Sequence, residues 1–156
     1  LPKKLQNKIS ILQQVRKENY SYVKKLYDKS SIKFKLEIYI ENMPSSLNWC
    51  HLIICRSGAG TLAENLISGR PSIMIPLEIS SDNHQMKNAL MINKMGAGRI
   101  ISEIELADTD RLINKLKSII FNTKSLYIMS EKAKNNAIYG SSKKLVNLAI
   151  NILNGK

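Results

Sequence analysis

Cysteine and histidine are scarce in this chain of 156 residues, which has two of each. A structural zinc site takes about four ligands at paired spacings. Cys50, His51, Cys55 and His84 do not fall at such spacings, so no metal centre is expected. The two cysteines lie within "CHLIIC" (Cys50 to Cys55) and read as reduced, partly buried thiols rather than a disulfide framework. Long apolar runs are missing as well: no stretch reaches the roughly 18–20 residues of a membrane span. Lys3, Lys4 and Lys8 interrupt the start, and no secretory leader pattern follows. Internal repeats, low-complexity tracts and Pro/Gly-rich linkers are also absent. The whole chain, 1–156, therefore reads as one domain with one core. It opens at Leu1 rather than Met, so a piece of a longer protein is expected.

Acidic residues are the other shortage, 12 Asp and Glu against 24 Lys and Arg, for a net charge of +12. The imbalance is uneven. Residues 1–37 carry +7, residues 38–110 carry −3 and residues 111–156 carry +8. Basic flanks thus enclose an acidic middle. An anionic membrane surface and nucleic acid are both partners for such flanks. No compact Arg cluster or aromatic interleaving supports base or phosphate reading, so nucleic acid is not expected.

What is present alternates. Pro2 to Lys8 reads as the end of a helix, "ISILQQV" (Ile9 to Val15) as a strand, and "KENYSYVKKLYDKS" as a helix with Tyr20, Val23 and Tyr27 on one side. "IKFKLEIYI" sets Ile32, Phe34, Leu36, Ile38 and Ile40 against polar neighbours at period two, which predicts a strand throughout. A loop and short helix ("NMPSSLNWC") lead to a short buried strand ("HLIIC") and a helix ("GAGTLAENLIS") beginning near Thr61. Gly69 is placed to end that helix and Pro71 forbids its continuation. "SIMIPL" is an apolar strand. "DNHQMKNALMINKM" is a helix capped by Asp82, with Met86, Leu90 and Ile92 or Met91 on its inner side. "GRIIS" is a strand, and "DTDRLINKLKSIIF" is a helix capped by Asp108 or Thr109. Two more helices follow, the last from Ser141 to Leu153. Strand–helix alternation without hairpin signals predicts an α/β fold, a Rossmann-like parallel sheet covered on both faces. Because the chain opens in a helix, the first strand of the sheet is expected to be missing from it.

In parallel sheets of this kind ligands sit beyond the carboxyl ends of the strands. Ser57, Gly58, Ala59, Gly60 and Thr61 occupy that position between a strand and a helix. The glycines predict close backbone approach and unusual dihedral angles. The helix N-terminus offers unpaired N–H groups and partial positive charge, suited to a phosphate or sugar oxygen. Glu64, one turn on, is placed to accept bonds from vicinal hydroxyls, although a solvated helix glutamate has the same pattern. The stretch is not a P-loop, since no Gly-Lys-Ser/Thr follows. At the next carboxyl end, "SSDNHQMKN" gathers Asp82, Asn83, His84, Gln85 and Asn88. Amides both donate and accept, as sugar hydroxyls require, and Gln85 and Asn88 share a helix face. Helix capping explains Asp82 and Asn83 equally well.

Arg56-Ser57-Gly58-Ala59-x-Thr61-x-x-Glu64, together with Gly69-x-Pro71, Pro76-Leu77 and Gln85-x-x-Asn88, resembles the donor-binding half of the MurG-type N-acetylglucosaminyltransferases. The resemblance runs from "LPKKL" to the C-terminal helices. It implies the C-terminal domain of a two-domain GT-B glycosyltransferase that binds UDP-GlcNAc. It also implies inverting transfer of GlcNAc to lipid-linked muramoyl-pentapeptide in peptidoglycan synthesis, at the cytoplasmic face of the bacterial inner membrane, without a cofactor. By the same resemblance the Ile40 backbone would meet uracil with Met43 nearby, and Ala59, Gly60 and Thr61 would line the GlcNAc and diphosphate. Glu64 would hold the ribose, and Gln85 and Asn88 the GlcNAc hydroxyls. Ser57, Gly58 and His84 would be close by, His84 standing where many relatives have glutamine. The family's diphosphate-gripping glycine loop and its acceptor domain would precede Leu1, so no catalytic residue is assigned. Three other readings remain at this point: a separate UDP-GlcNAc-binding subunit of a split lipid-linked transferase, a basic nucleic-acid-binding module, and a decayed, inactive fragment.

Overall fold

The computed structural model of the chain describes residues 1–77 and 83–153, and side chains are described outside 141–145. The chain divides into two compact units, Leu1–Trp49 and Cys50–Lys156. The predicted cap Asp82 lies outside the described residues.

The first unit runs α1 (Lys3–Gln6), β1 (Ser10–Gln14), a 3₁₀ turn (Lys17–Asn19), α2 (Tyr20–Asp28), β2 (Lys33–Glu37) and α3 (Met43–Trp49). β1 and β2 pair in parallel from Ser10 opposite Lys33 to Gln14 opposite Glu37. The period-two pattern sends Phe34 and Leu36 inward and leaves Lys33 and Lys35 exposed. Tyr27 of α2 stacks on Phe34 at 4.8 Å between ring centroids, and its hydroxyl donates to Gln13 Oε1 at 2.7 Å. The predicted strand is longer than the real one. Ile38 and Tyr39 are exposed and unpaired, because β1 stops at Gln14 and the last bond across, Val15 N–H to Glu37 O, leaves nothing further for β2 to pair with. Residues 38–42 instead form the link beyond the carboxyl end of β2.

In the second unit, β3 (Ile53–Cys55), β4 (Ser72–Met74) and β5 (Gly98–Ile100) form a parallel sheet in that order. Helix α4 (Ala59–Ile67) follows β3, and α5 (His84–Lys94) follows β4. Next come α6 (Glu103–Ala107), α7 (Thr109–Ile120), α8 (Thr123–Asn135) and α9 (Ser141–Leu153). The central strand shows why both faces are covered. Successive side chains point to opposite sides, so Met74 packs with Leu62, Ala89, Ile92 and Ala133, whereas Ile73 packs with Ile101 and Ile119. Helices α4, α5 and α8 thus supply one layer and α7 the other, the α/β architecture read from the alternation.

Gly69 ends α4 as expected. At φ +65° its N–H bonds to Leu66 O and the next N–H, of Arg70, reaches Asn65 O, the paired closure of a Schellman turn. Asp108 caps α7 by accepting from Arg111 N–H. Helix α6 was not anticipated, although Ser102 and Glu105 form a capping box whose Ser-x-x-Glu spacing is plain in the sequence. The inner side of α5 also differs from expectation. Ala89 and Ile92 are buried, whereas Leu90 and Met91 are half exposed. Gln85, Asn88, Ala89 and Ile92, at i, i+3, i+4 and i+7, form the stripe that faces inward, and the two amides extend the apolar stripe toward the turn after β3.

Candidate functional site

Helix α4 starts at Ala59, two residues earlier than predicted, with Gly58 as its N-cap. No side chain caps it. Its first main-chain bond is Leu62 N–H to Gly58 O. The N–H groups of Ala59, Gly60 and Thr61 are left without an acceptor among the described residues, and all three residues are exposed. This is the condition in which a helix N-terminus binds an anion. The expectation of unusual angles at the glycines is not met. Gly58 sits at φ −65°, ψ 141°, and neither it nor Gly60 has positive φ. What Gly60 provides is room, since a Cβ built there meets nothing within 4 Å. Thr61 leaves its hydroxyl on the exposed side of the first turn.

The turn is held from beneath. Ser57 is fully buried, and its hydroxyl donates to Gln85 O at 2.7 Å. Asn88 Nδ2 donates to Ser57 O at 3.1 Å. Gln85 Oε1 accepts from Leu77 N–H at 3.1 Å, joining the start of α5 to the segment leaving β4. Each amide therefore spends one end on the scaffold. Asn88 keeps its carbonyl oxygen and Gln85 its amino group for another partner. The structure thus brings Ser57, Gly58, Gln85 and Asn88 into one cluster. Glu64 lies four residues after Gly60 on the exposed side of α4, and its carboxylate has no hydrogen-bond or ion-pair partner among the described residues. His84 opens α5 and is exposed.

Arg56 was not singled out from the sequence. Its Nη1 donates to Ile75 O, Pro76 O and Glu103 Oε1 at 3.1, 3.3 and 2.6 Å, so the residue beside the turn ties the end of β3 to the ends of the next two strands. Nothing local in the sequence signals this role, because the acceptors lie 19, 20 and 47 residues away. Beneath α4, buried Asn65 donates to Cys55 Sγ at 3.6 Å. Burial pushes the Cys55 thiol pKa up, partly offset by that bond, and burial likewise raises Cys50. Neither cysteine is in a disulfide among the described residues.

Ile40 and Met43 belong to the first unit. Ile40 lies in the link beyond β2 with no main-chain hydrogen bond to its N–H or C=O among the described residues, and Met43 opens α3.

The glycosyltransferase family 28 C-terminal domain matches residues 1–145. The chain belongs to this family. A relative from Caulobacter vibrioides, named UDP-N-acetylglucosamine--N-acetylmuramyl-(pentapeptide) pyrophosphoryl-undecaprenol N-acetylglucosamine transferase, is 31% identical over 148 residues, 95% of this chain and 41% of the relative. One of the same name from Bradyrhizobium diazoefficiens is 33% identical, again over 95% of this chain and 40% of its own length. The crystal structure of Acinetobacter baumannii MurG superposes with a TM-score of 0.81 at 28% identity, covering 89% of this chain and 40% of that one. The chain therefore spans about two fifths of the length of the relatives it matches. A kitacinnamycin glycosyltransferase, at 13% identity and a TM-score of 0.51, shares the fold alone.

Proposed function

We propose that this chain is the UDP-GlcNAc-binding part of an inverting N-acetylglucosaminyltransferase of peptidoglycan synthesis, working against an acceptor-binding half to glycosylate lipid-linked muramoyl-pentapeptide. The observation that carries the reading is the exposed start of α4, where three consecutive N–H groups have no acceptor among the described residues and Glu64 lies one turn further on. In transfer, the acceptor hydroxyl oxygen attacks the anomeric carbon while the bond to the UDP oxygen breaks. Negative charge then grows on the diphosphate. A helix N-terminus already pointing its N–H groups there stabilises that charge without reorganising. Glu64 accepts from the ribose hydroxyls. Asn88 Oδ1 and Gln85 Nε2 meet sugar hydroxyls with an acceptor and a donor. In the first unit, the N–H and C=O of Ile40 are a donor–acceptor pair of the kind a uracil edge requires, and Met43 supplies apolar contact. The general base that takes the hydroxyl proton is not assigned to any residue of this chain. The names of the relatives support the donor and the lipid-linked acceptor. Among the described residues no helix is long and apolar enough to cross a membrane, and the reading places the protein peripherally at the cytoplasmic face of the inner membrane.

Calorimetric titration of the chain with UDP-GlcNAc tests this. Saturable binding that UDP competes away is the expected result. Absence of binding by a chain whose circular dichroism shows it folded overturns the reading.

A further inference from the structure

A second cleft of about 330 Å³ lies in the same unit, where β5 meets the start of α8. Gly96 and Arg99 form one side, and Asn122, Lys124, Ser125 and Lys132 the other. Gly96 precedes β5, so this cleft lies toward the amino ends of the parallel strands, whereas the turn at Ser57 follows a carboxyl end. One ligand does not exclude another.

Its charge sets it apart. Among the described residues, the lining holds three cations and no carboxylate. Elsewhere the cations with a neighbouring acid have paired: Lys24 with Asp28, Lys35 with Glu37, Arg56 with Glu103, Lys115 with Glu105 and Lys134 with Glu131. Lys124 and Lys132 have no ion-pair partner among the described residues. Arg99 spends Nη1 on Gly98 O at 2.9 Å, which orients the guanidinium and leaves most of its donors unused. Like charges gathered around one cavity repel unless an anion lies between them. The donors are plentiful too. Asn122 Oδ1 takes Ser125 N–H and Asn122 O takes Leu126 N–H, while the N–H groups of Thr123 and Lys124 have no acceptor among the described residues at the start of a 13-residue helix. Gly96 stands at φ +78°, a backbone conformation that favours glycine, and the Lys132 stem passes within ordinary van der Waals reach of it. Half-exposed Ile128 gives the cleft an apolar margin.

We propose that this cleft binds a phosphate ester. Three cations and several N–H donors match a group with several anionic oxygens better than a single carboxylate, and the Ile128 margin suits the organic part of the ester. Such a phosphate comes either from a soluble metabolite or from the headgroup of an anionic lipid.

The chain, labelled with ¹⁵N, is titrated with inorganic pyrophosphate and, separately, sedimented with phosphatidylglycerol–phosphatidylcholine vesicles. The amides of Gly96, Lys124 and Ser125 are expected to shift saturably. K124Q/K132Q is expected to weaken that response at least fivefold, whereas K17Q/K25Q, two exposed lysines of the first unit, leaves it unchanged. Both variants exchange one good helix former for another at exposed positions, and the same spectra report their folding. If K124Q/K132Q also releases the vesicles, the source is lipid. If pyrophosphate binds at these amides and the vesicles do not depend on them, the source is soluble. No shift at these amides together with vesicle binding indifferent to K124Q/K132Q overturns the proposal, as does equal loss in the two variants, which would mark a diffuse basic field.

Discussion

Asn88 Nδ2 donates to the main-chain oxygen of Ser57 at 3.1 Å, so the helix after β4 holds the turn after β3 by a side chain on its inward stripe. The bond sets the rotation of α5, and with it which end of the Asn88 amide is left over. Asn88→Ala removes the donor and leaves a buried carbonyl unsatisfied. A loss of about 1–3 kcal/mol in stability is expected, the cost of an orphaned polar group, together with weaker UDP-GlcNAc binding. Asn88→Asp separates the two roles: it keeps an acceptor toward the ligand and loses the donor toward Ser57. Denaturant midpoints and calorimetry of both variants check this.

Glu64 contrasts with Asn88, because its carboxylate has no hydrogen-bond or ion-pair partner among the described residues. Glu64→Ala is expected to leave the urea midpoint within about 0.5 kcal/mol of the parent, as exposed substitutions do. Removing two accepted ribose bonds is expected to weaken UDP-GlcNAc binding by about 1–3 kcal/mol. Equal affinity in the variant would move the ribose elsewhere.

The sheet depends on a close approach at Gly98. A Cβ there would stand 2.7 Å from Met74 Cε, 2.9 Å from Ser72 O and 3.1 Å from Ile92 Cγ2. Met74 can shift its terminal methyl, but the main-chain oxygen of the neighbouring strand cannot move without breaking the β4–β5 ladder. Gly98→Ala is therefore expected to destabilise by about 1–3 kcal/mol, the range for overpacked cores, as read by thermal unfolding.

Both thiols make stability fall in alkali. Burial raises the Cys55 pKa, with the Asn65 bond opposing, and burial raises Cys50, with Arg70 opposing. In the unfolded chain these thiols ionise near pH 8.5, while in the folded chain they still hold their protons. The unfolded state thus loses protons first. The stabilisation is complete below that pH and drains away as pH rises through the higher folded values. The urea midpoint is expected to drop as pH rises above about 8.5, with a smaller drop in Cys55→Ala than in the parent chain.

Much of this was legible because short apolar runs between turn residues fix strands, and spaced capping residues fix helix ends. Gly69, Asp108 and the limits Ser141 to Leu153 followed from chemistry local to each position. The losses came where partners decide. Ile38 and Ile40 alternate correctly, yet β2 ends at Glu37 because its neighbour has turned away. Leu90 and Met91 are apolar, yet they face outward because Asn88 is tied to Ser57. Arg56 bonds to strand ends 19 to 47 residues away, and no local pattern carries that information. The turn itself was found for a partly mistaken reason, by its glycines, whose value is room rather than unusual angles.

That distinction gives the sharpest prediction at the site. Among the described residues, nothing beyond the backbone of its own helix lies within 4 Å of a Cβ placed on Gly60, and the residue stands in ordinary helical backbone in the first turn of α4. A side chain there costs the fold nothing, and in place of glycine it adds up to about 1 kcal/mol of helix propensity. Gly60→Ala is therefore expected to match or exceed the parent in melting temperature. A bulkier Gly60→Leu is expected to fold equally well and to project its side chain over the unpaired N–H groups of Ala59, Gly60 and Thr61. If a diphosphate or sugar seats there, UDP-GlcNAc affinity falls at least tenfold in Gly60→Leu while the melting temperature holds. If affinity and melting temperature are both unchanged, the open space at Gly60 belongs to solvent, and the donor is held by another part of the chain.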